Sequence, residues 1–282
     1  MQYHVNGRLV PAAEATVSVR DRGFQYGDAG FETLRAYGGS IFEWGAHADR
    51  LQDTCDALGM PDAVPENCRE RVRETLAAND LSEAYVRLSV TRGGQAGKLT
   101  PDSDVDPSVV VIAKPLPRGG TAGESVWNNP AAVATTDVQR VPGAAIPARA
   151  KTHNYLNGIL ARVDADADEA LLCDADGHLA EGAASNVFLV RDGTLHTPAL
   201  NGPVLPGVTR RVVIDLARDA GVSVVTGTYD PDDVRTADEA FLTNTTWEVR
   251  PVAALDGDPV GGGPVTERLA AAFDERVDRR HY

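Results

Sequence analysis

The sequence predicts a two-domain α+β protein. Three observations support this prediction: a strand–turn–strand pattern opens the chain, a Pro- and Gly-rich stretch interrupts it near its middle, and two long helical patterns follow in the second half. With 282 residues, the chain is long enough for one large domain or for two modest domains with sizeable cores.

Strand and helix patterns are mixed in the first half. The pair Asn6-Gly7 between two short strand segments is typical of a hairpin turn. Leu51, Cys55 and Leu58 have the spacing of one helical face, and Pro65 suits the first turn of a further helix. The predicted strands are 3–5, 8–10, 86–90 and 109–113, and the predicted helices are 46–59 and 65–79.

A change in amino-acid composition marks the predicted domain boundary. The stretch 114–120 is rich in proline and glycine and indicates a linker. We therefore predict an N-terminal domain at 1–115, a linker at 116–125 and a C-terminal domain at 126–282. Predicted strands follow at 170–173, 187–191 and 240–243, and predicted helices at 208–220 and 265–278. The polar segment 97–107 is expected to be a lid or a loop.

The charge composition argues against a nucleic-acid partner. The net charge is −14, and such an acidic surface repels phosphate backbones. Asp is about twice as frequent as Glu, and there are only three lysines. This composition fits a high-salt cytoplasm, where salt screens self-repulsion, although a GC-rich genome would give the same bias. No apolar run is long enough for a membrane span and no signal-peptide pattern occurs, so we expect a cytoplasmic protein.

The cysteines and histidines predict no metal site. Cys55, Cys68 and Cys173 stand far apart without a CxxC pair, and the six histidines lack ligand spacing. Buried, unreactive thiols are the expected role of the three cysteines.

The scarcity of lysine narrows the search for a reactive amine. An enzyme that forms an imine with a carbonyl cofactor needs one positioned lysine, and the candidates are Lys98, Lys114 and Lys151. Lys98 lies in a polar loop and Lys114 closes an apolar strand. Lys151 precedes an amphipathic helix, which leaves functional and structural roles equally open for it on this pattern alone.

Two further patterns suggest a phosphate site and a ring-nitrogen partner. The turn 205–210 leads into a helix, whose first N–H groups, with the Thr209 hydroxyl, favour a phosphate. Glu181 stands beside small residues before a buried strand, where its carboxylate could keep a pyridine nitrogen protonated. Alone, the turn would simply start a helix and Glu181 would be a surface turn residue.

Together these motifs resemble one family. Lys151-Thr-His-Asn-Tyr155, Glu181-Gly-x-x-Ser-Asn186, Leu205-Pro-Gly-Val-Thr-Arg210 and Thr243-Asn-Thr-Thr-x-Glu248 have the order and spacing of the class IV, or fold type IV, enzymes that use pyridoxal 5′-phosphate (PLP). The N-terminal half agrees, with Asp21-Arg-Gly-Phe-x-Tyr-Gly-Asp-x-Gly-Phe-Glu-Thr-x-Arg35 and His47-x-Asp-Arg-Leu51. The family includes branched-chain and D-amino-acid aminotransferases and 4-amino-4-deoxychorismate lyases.

The resemblance implies a fold, a cofactor and a set of roles. A smaller N-terminal α/β domain and a larger C-terminal domain would hold PLP at their interface. Lys151 would form the Schiff base and transfer protons, and Thr33 would be a second catalytic group. The remaining implied cofactor contacts are Arg50, Tyr155, Glu181, Ser185, Asn186, Val208, Thr209 and Thr245. The implied substrate contacts are Phe31, Tyr85, Arg87, Thr246 and Trp247.

The resemblance also implies a homodimer in which a loop of one subunit reaches the neighbouring active site, and 97–107 is the candidate loop. The subfamily signals diverge. Tyr85-x-Arg87 resembles branched-chain aminotransferases, whereas Thr33 after Phe31-Glu32 resembles the lyases, and the motifs around Glu181 and Thr243 resemble D-amino-acid aminotransferases. We expect a ping-pong transamination between an amino acid and a 2-oxo acid, pyruvate or 2-oxoglutarate. The alternative is a lyase that releases pyruvate and 4-aminobenzoate, and a further one is a non-catalytic relative.

Overall fold

The computed structural model describes residues 1–118 and 126–282, which group into two compact units. The first unit contains Met1–Val126, Arg149–Asn154 and His281–Tyr282, and the second contains Trp127–Ala148 and Tyr155–Arg280. The segment around Lys151 thus groups with the first unit, whereas the sequence prediction assigned it to the C-terminal domain. Residues 119–125 of the predicted linker lie outside the described residues.

The first unit is built on a six-stranded sheet. Its strands are β1 (Gln2–Val5), β2 (Arg8–Pro11), β3 (Ala29–Tyr37), β4 (Ser40–Ile41), β5 (Ala84–Thr91) and β6 (Val109–Pro115), in the spatial order β2-β1-β6-β5-β3-β4. Its helices are α1 (Arg22–Tyr26), α2 (Trp44–Ala57) and α3 (Cys68–Ala77). Helix α3 begins after the predicted residue 65, because Pro65 accepts a turn hydrogen bond from Cys68 N–H ahead of the helix.

The two faces of this sheet have different roles. Residues alternate between faces along a strand, so Leu34 and Ala36 of β3 share a face with Val86 and Leu88 of β5. These apolar side chains, with buried residues of α2 and α3, form one core in which Leu34, Ala36 and Val86 are fully buried. The opposite face therefore presents the odd-numbered residues of β3 and β5.

The second unit is built on a nine-stranded sheet. Its strands are β7 (Ala131–Thr135), β8 (Glu169–Cys173), β9 (Leu179–Gly182), β10 (Asn186–Arg191), β11 (Thr194–Pro198), β12 (Val224–Gly227), β13 (Glu239–Asn244), β14 (Glu248–Leu255) and β15 (Asp258–Pro259). Eight follow the order β12-β11-β10-β13-β14-β7-β8-β9, and β15 pairs with β14. Its helices are α4 (Leu156–Asp164), α5 (Val208–Asp219), α6 (Pro231–Arg235) and α7 (Pro264–His281).

The central strands of this unit carry its core. Phe188 of β10 stacks on Phe241 of β13, with ring centroids 4.9 Å apart, and both side chains are fully buried. Helix α4 instead leaves four apolar side chains exposed on one face: Leu156, Ile159, Leu160 and Val163. The mixture of helices and strands in both units is that of an α+β protein. Within the described ranges, no helix combines the length and apolarity needed to cross a bilayer.

Candidate active site

Lys151 lies on an extended segment beside β3 in the first unit. The N–H of Phe31 donates to the Lys151 carbonyl at 3.0 Å, and the Lys151 N–H donates to the Thr54 hydroxyl at 2.9 Å. A bridge between Gly30 and Thr152 continues this pairing. The backbone of Lys151 is therefore fixed, while its half-buried side chain places Nζ 4.5 Å from the centre of the Phe31 ring.

Four of the predicted catalytic and substrate residues share the opposite face of the first sheet. Phe31 and Thr33 are on β3, and Tyr85 and Arg87 are on β5, with Thr33 directly opposite Arg87 in the register. The Arg87 guanidinium carbon lies 3.7 Å above the Phe31 ring. Among the described residues no carboxylate or hydrogen-bond acceptor pairs with Arg87. This face therefore offers a cation that could receive a substrate carboxylate beside the Lys151 amine.

His153 and Ser89 join the same face and were not among the predicted site residues. The ring of His153 meets Phe31 edge-on at 5.6 Å, and its Nε2 lies 3.2 Å from the Ser89 hydroxyl. Burial, and then the charge of Arg87, lower the pKa of His153 to about 4. His153 is therefore neutral near pH 7. Its position two residues after Lys151 was the signal that could have identified it.

Arg50 lies on the helix side of the sheet in a buried charged cluster. Its Nε and Nη2 donate to Glu32 at 2.8 and 2.7 Å, and His47 Nδ1 lies 2.7 Å from the same carboxylate. Burial alone would raise the pKa of Glu32, but the charge and hydrogen bonds of Arg50, aided by His47, outweigh it and lower the pKa to about 2. The sequence predicts no role for Glu32 beyond its place in a motif. The structure shows that its carboxylate is the hydrogen-bonding partner that orients Arg50.

Glu181 lies on β9 in the second unit and is almost completely buried. One carboxylate oxygen accepts from Arg140 Nε at 2.7 Å, and the other accepts from the Leu205 N–H at 2.9 Å and from the Asn186 amide at 3.4 Å. The guanidinium gives this buried carboxylate a charged partner. An ionised carboxylate is the chemical group that a protonated pyridine nitrogen requires.

Ser185 and Asn186 of the predicted cofactor set have different partners. The Ser185 hydroxyl donates to Glu169 at 2.8 Å, and burial raises the pKa of Glu169. The Asn186 amide donates to the Leu205 carbonyl at 3.0 Å as well as to Glu181. Both side chains thus brace neighbours of the predicted ring-nitrogen site.

The amino end of α5 has the features of an anion site. Gly207 precedes the helix, and no described side chain caps it, so backbone N–H groups of the first turn remain available there. A Cβ on Gly207 would lie only 1.9 Å from Asn186 Oδ1, so this close approach requires glycine. Val208 and Thr209 are buried in the first turn of the helix.

The remaining predicted residues lie at two turns of the second unit. Asn244 Oδ1 accepts from the Thr246 N–H and hydroxyl at 3.0 Å each and from the Trp247 N–H at 2.7 Å, which fixes the turn that also contains Thr245. The Arg250 guanidinium lies 5.1 Å from the Trp247 ring centre. Tyr155 stands half-buried at the start of α4.

Comparison with known proteins identifies the family. The model of the family "Amino-transferase class IV" matches residues 29–255. The chain belongs to the class IV aminotransferases. It is 38% identical to a Methanocaldococcus jannaschii protein provisionally named branched-chain-amino-acid aminotransferase, over 98% of this chain and 96% of that protein. It is 32% identical to a D-alanine aminotransferase of Listeria monocytogenes, over 99% and 97% of the two chains.

Solved structures support the fold assignment of this class IV aminotransferase. The branched-chain aminotransferase of Thermoproteus uzoniensis with norvaline has a TM-score of 0.90 and 31% identity, with 98% of this chain and 94% of that chain covered. A branched-chain amino acid aminotransferase solved with pyridoxamine 5′-phosphate has a TM-score of 0.91 and 34% identity, with 99% and 94% covered. The predicted fold type IV architecture, PLP dependence and transaminase activity are confirmed at the level of the family. The enzyme therefore acts on amino acids and 2-oxo acids.

The side chains present fit PLP. The first unit supplies an amine, Lys151, and the guanidinium of Arg50. The second unit supplies the Glu181 carboxylate and the uncapped amino end of α5, where only glycine is accommodated at position 207. In the first unit the amine matches an aldehyde and the guanidinium matches a phosphate. In the second unit the helix end matches a phosphate and the carboxylate matches a pyridine nitrogen.

Proposed function

We propose that this class IV aminotransferase transfers the amino group of branched-chain amino acids to 2-oxoglutarate. The observation that carries the proposal is Arg87: it stacks on Phe31, close to the Lys151 amine, and has no acidic partner among the described residues. An unpaired, half-buried guanidinium is suited to a carboxylate, which it can bind through two parallel hydrogen bonds. The Phe31 ring beneath it offers an apolar contact for a hydrocarbon side chain.

The proposed roles divide by chemistry. Lys151 would hold the cofactor through Nζ, and the same nitrogen, once released by the substrate amine, would take the proton from the substrate Cα. The chemistry that PLP would supply when bound is an electron sink for that carbon, and Glu181 would support it by pairing with the ring nitrogen. Tyr155 hydrogen-bonds the phenolic oxygen of the cofactor. A second oxo acid would then receive the amino group, so the cycle would be of the ping-pong type.

The phosphate is assigned to groups with matching charge. Arg50 supplies a guanidinium oriented by Glu32, and α5 supplies N–H groups at Val208 and Thr209. The hydroxyls of Thr209 and Thr245 add neutral donors. Asn186 and Ser185 act nearby by supporting Glu181 and Glu169.

The substrate side is assigned to Phe31, Tyr85, Arg87, Thr246 and Trp247. The indole of Trp247 is held over Arg250, and the backbone N–H of Trp247 is fixed by Asn244. Such a held, bulky ring limits the volume available to a large substrate, which favours an ordinary amino acid over aminodeoxychorismate. Thr33 is the proton donor of the lyase alternative.

D-Alanine with pyruvate is the second candidate pair. The 32% identity to the Listeria monocytogenes D-alanine aminotransferase, over nearly the whole of both chains, favours it. Arg87 could bind the carboxylate of either amino acid. The handedness of the preferred amino acid therefore separates the two candidate reactions.

We propose a homodimer as the working form. The apolar face of α4, formed by Leu156, Ile159, Leu160 and Val163, is exposed and offers contact area. In the candidate loop, Arg22 donates to the carbonyls of Lys98 and Leu99 at 2.5 and 2.9 Å, and the Leu99 side chain is 80% exposed. A loop whose backbone is held at Lys98 and Leu99 while the Leu99 side chain stays exposed suits a contact with the neighbouring subunit. A cytoplasm rich in salt is the proposed setting, because it would screen the net charge of −14.

A half-reaction tests the proposed substrates. The PLP form is mixed separately with L-Leu, L-Glu, D-Ala and aminodeoxychorismate, and loss of its visible absorbance is recorded. We expect rapid conversion with L-Leu and L-Glu and slow conversion with D-Ala. Arg87→Gln should weaken turnover of every carboxylate substrate, whereas Arg73→Gln, which removes an exposed arginine of α3, should not. Fast conversion by D-Ala alone, or release of 4-aminobenzoate, would refute the proposal.

A further inference from the structure

We infer that Arg140 is a positioning residue that orients Glu181 toward the ring nitrogen of PLP. The inference rests on the proposed role of Glu181. It adds a residue that none of the motifs contained, because Arg140 precedes Lys151 in a stretch without regular secondary structure.

The Glu181 carboxylate is held at both of its oxygens. Arg140 Nε donates to Glu181 Oε1 at 2.7 Å, while the Leu205 N–H donates to Oε2 at 2.9 Å. Each oxygen therefore has a donor of its own, and rotation of the carboxylate would break at least one of these contacts. Among Arg140, Leu205 and Asn186, which all donate to this carboxylate, only Arg140 is charged, so it makes the strongest of the three contacts.

Neighbouring elements hold the segment that contains Arg140. Its backbone N–H donates to the Cys173 carbonyl at the end of β8, at 2.8 Å. On either side of it, the Asn157 amide donates to the Gln139 carbonyl at 2.7 Å and accepts from the Val141 N–H at 3.4 Å. Asn157 belongs to α4, so a helix and a strand hold an otherwise irregular segment in place.

The contacts of the Arg140 side chain differ from those of a purely structural residue. Within the described residues, Glu181 is the only hydrogen-bonding or ionic partner of the Arg140 side chain, which is 22% exposed and belongs to no apolar core cluster. Removal of the Arg140 side chain should therefore affect mainly the Glu181 carboxylate. The guanidinium pairs with the carboxylate and fixes its plane, so removing it should reduce the contribution of Glu181 to cofactor binding.

The test uses two cofactors that differ only at the ring nitrogen. Apoenzyme is titrated with PLP and with 1-deaza-PLP, in which a C–H replaces that nitrogen, and the ratio of the two dissociation constants gives the preference for nitrogen. In Arg140→Gln we expect the PLP dissociation constant to rise about tenfold while that of 1-deaza-PLP changes less than about twofold. Arg140→Lys should restore part of the preference. Asn157→Leu removes a support of the Arg140 segment, so it should raise the PLP dissociation constant less than Arg140→Gln does.

Two controls make the outcomes decisive. Arg191→Gln removes a comparably exposed arginine from a different ion pair, with Asp233, and should leave the preference unchanged. Glu181→Gln should abolish the preference. The inference is wrong if Glu181→Gln abolishes the preference for PLP over 1-deaza-PLP but Arg140→Gln keeps it. It is also wrong if Arg140→Gln weakens the binding of the two cofactors equally. In both cases the role of Glu181 stands. If Glu181→Gln leaves the preference intact, the proposed role of Glu181 has itself failed.

Discussion

Thr33 and Arg87 face each other across β3 and β5, in a pairing that puts both on the same side of the first sheet. In the sequence, the two residues favour different reactions: Thr33 resembles the lyases, and Arg87 resembles the branched-chain aminotransferases. Because the two residues are adjacent, one bound substrate could contact both side chains. The reaction therefore depends on whether the Thr33 hydroxyl takes part in it, and not on its presence beside Arg87.

Replacing Thr33 tests that choice directly. If the hydroxyl serves no step of transamination, Thr33→Gly should leave kcat/KM within about tenfold, or roughly 1.4 kcal/mol in barrier. Thr33→Val, which keeps the β-branched shape, controls for loss of strand propensity. A larger loss in both variants, measured with the preferred amino acid, would give the hydroxyl a role in the reaction.

The Schiff-base assignment predicts a single covalent label. Borohydride reduction of the PLP form followed by peptide mapping should place the pyridoxyl group on Lys151, because only three lysines exist and this one lies beside Phe31. Lys151→Ala should abolish turnover while retaining some PLP through the phosphate groups. Lys114, whose amine lies 4.9 Å from the Tyr85 ring centre, is the internal control, and label there would contradict the assignment.

The phosphate assignment predicts unequal losses. Arg50→Ala should weaken PLP binding by a few kcal/mol, well beyond the roughly 1 kcal/mol expected for Thr209→Ala, because a charged partner is lost. Arg50→Ala also leaves the buried Glu32 without its cation. The comparison is therefore made in a Glu32→Gln background as well, by titrating each apoenzyme with PLP. Equal, slight effects in that background would place the phosphate elsewhere.

Glu32 should make the protein sensitive to acid. Its pKa is about 2 in the folded protein against 4.5 for an unperturbed glutamate, so its stabilising effect is complete above pH 4.5 and is lost as the pH falls toward 2. The lost contribution is about 3 kcal/mol. Urea unfolding should show that Glu32→Gln is less stable at pH 7 and has a flatter stability profile below pH 4.5. Glu70→Gln, at an exposed pair with Arg73, should retain the parent profile.

Gly207 should tolerate no side chain. In Gly207→Ala the new methyl would overlap Asn186 Oδ1, and relieving this contact requires a shift of Asn186 or of the amino end of α5. We expect a loss of about 1–3 kcal/mol in stability together with weaker PLP binding. Gly202→Ala provides a control in the preceding loop, where a Cβ would have no atom closer than 3.6 Å. Normal PLP affinity in Gly207→Ala would show that this end of α5 does not contact the cofactor.

Sequence patterns predict candidate site residues more readily than the residues that support them. The motifs taken together predict roles for Lys151, Glu181 and the start of α5, because each motif is a short run of neighbouring residues in the chain. Arg140 and His153 were missed as partners, since their roles depend on contacts across 41 and 64 residues. Strand β3 was not assigned either. Its buried Glu32 and Arg35 interrupt the apolar pattern, and only the charged cluster around Glu32 and the fold around Arg35 make their burial possible.

The division of the chain into compact units bears on how such enzymes can be recombined. Lys151 groups with the first unit although 22 residues of the second unit, Trp127–Ala148, precede it in the chain. A gene crossover near residue 126 would therefore supply a new Phe31 and Arg87 while keeping the recipient's lysine. Such a chimera must still match the donor's Phe31 N–H to the recipient's Lys151 carbonyl and Gly30 to Thr152. Compatibility at these two backbone pairings would thus limit which relatives can exchange their N-terminal halves.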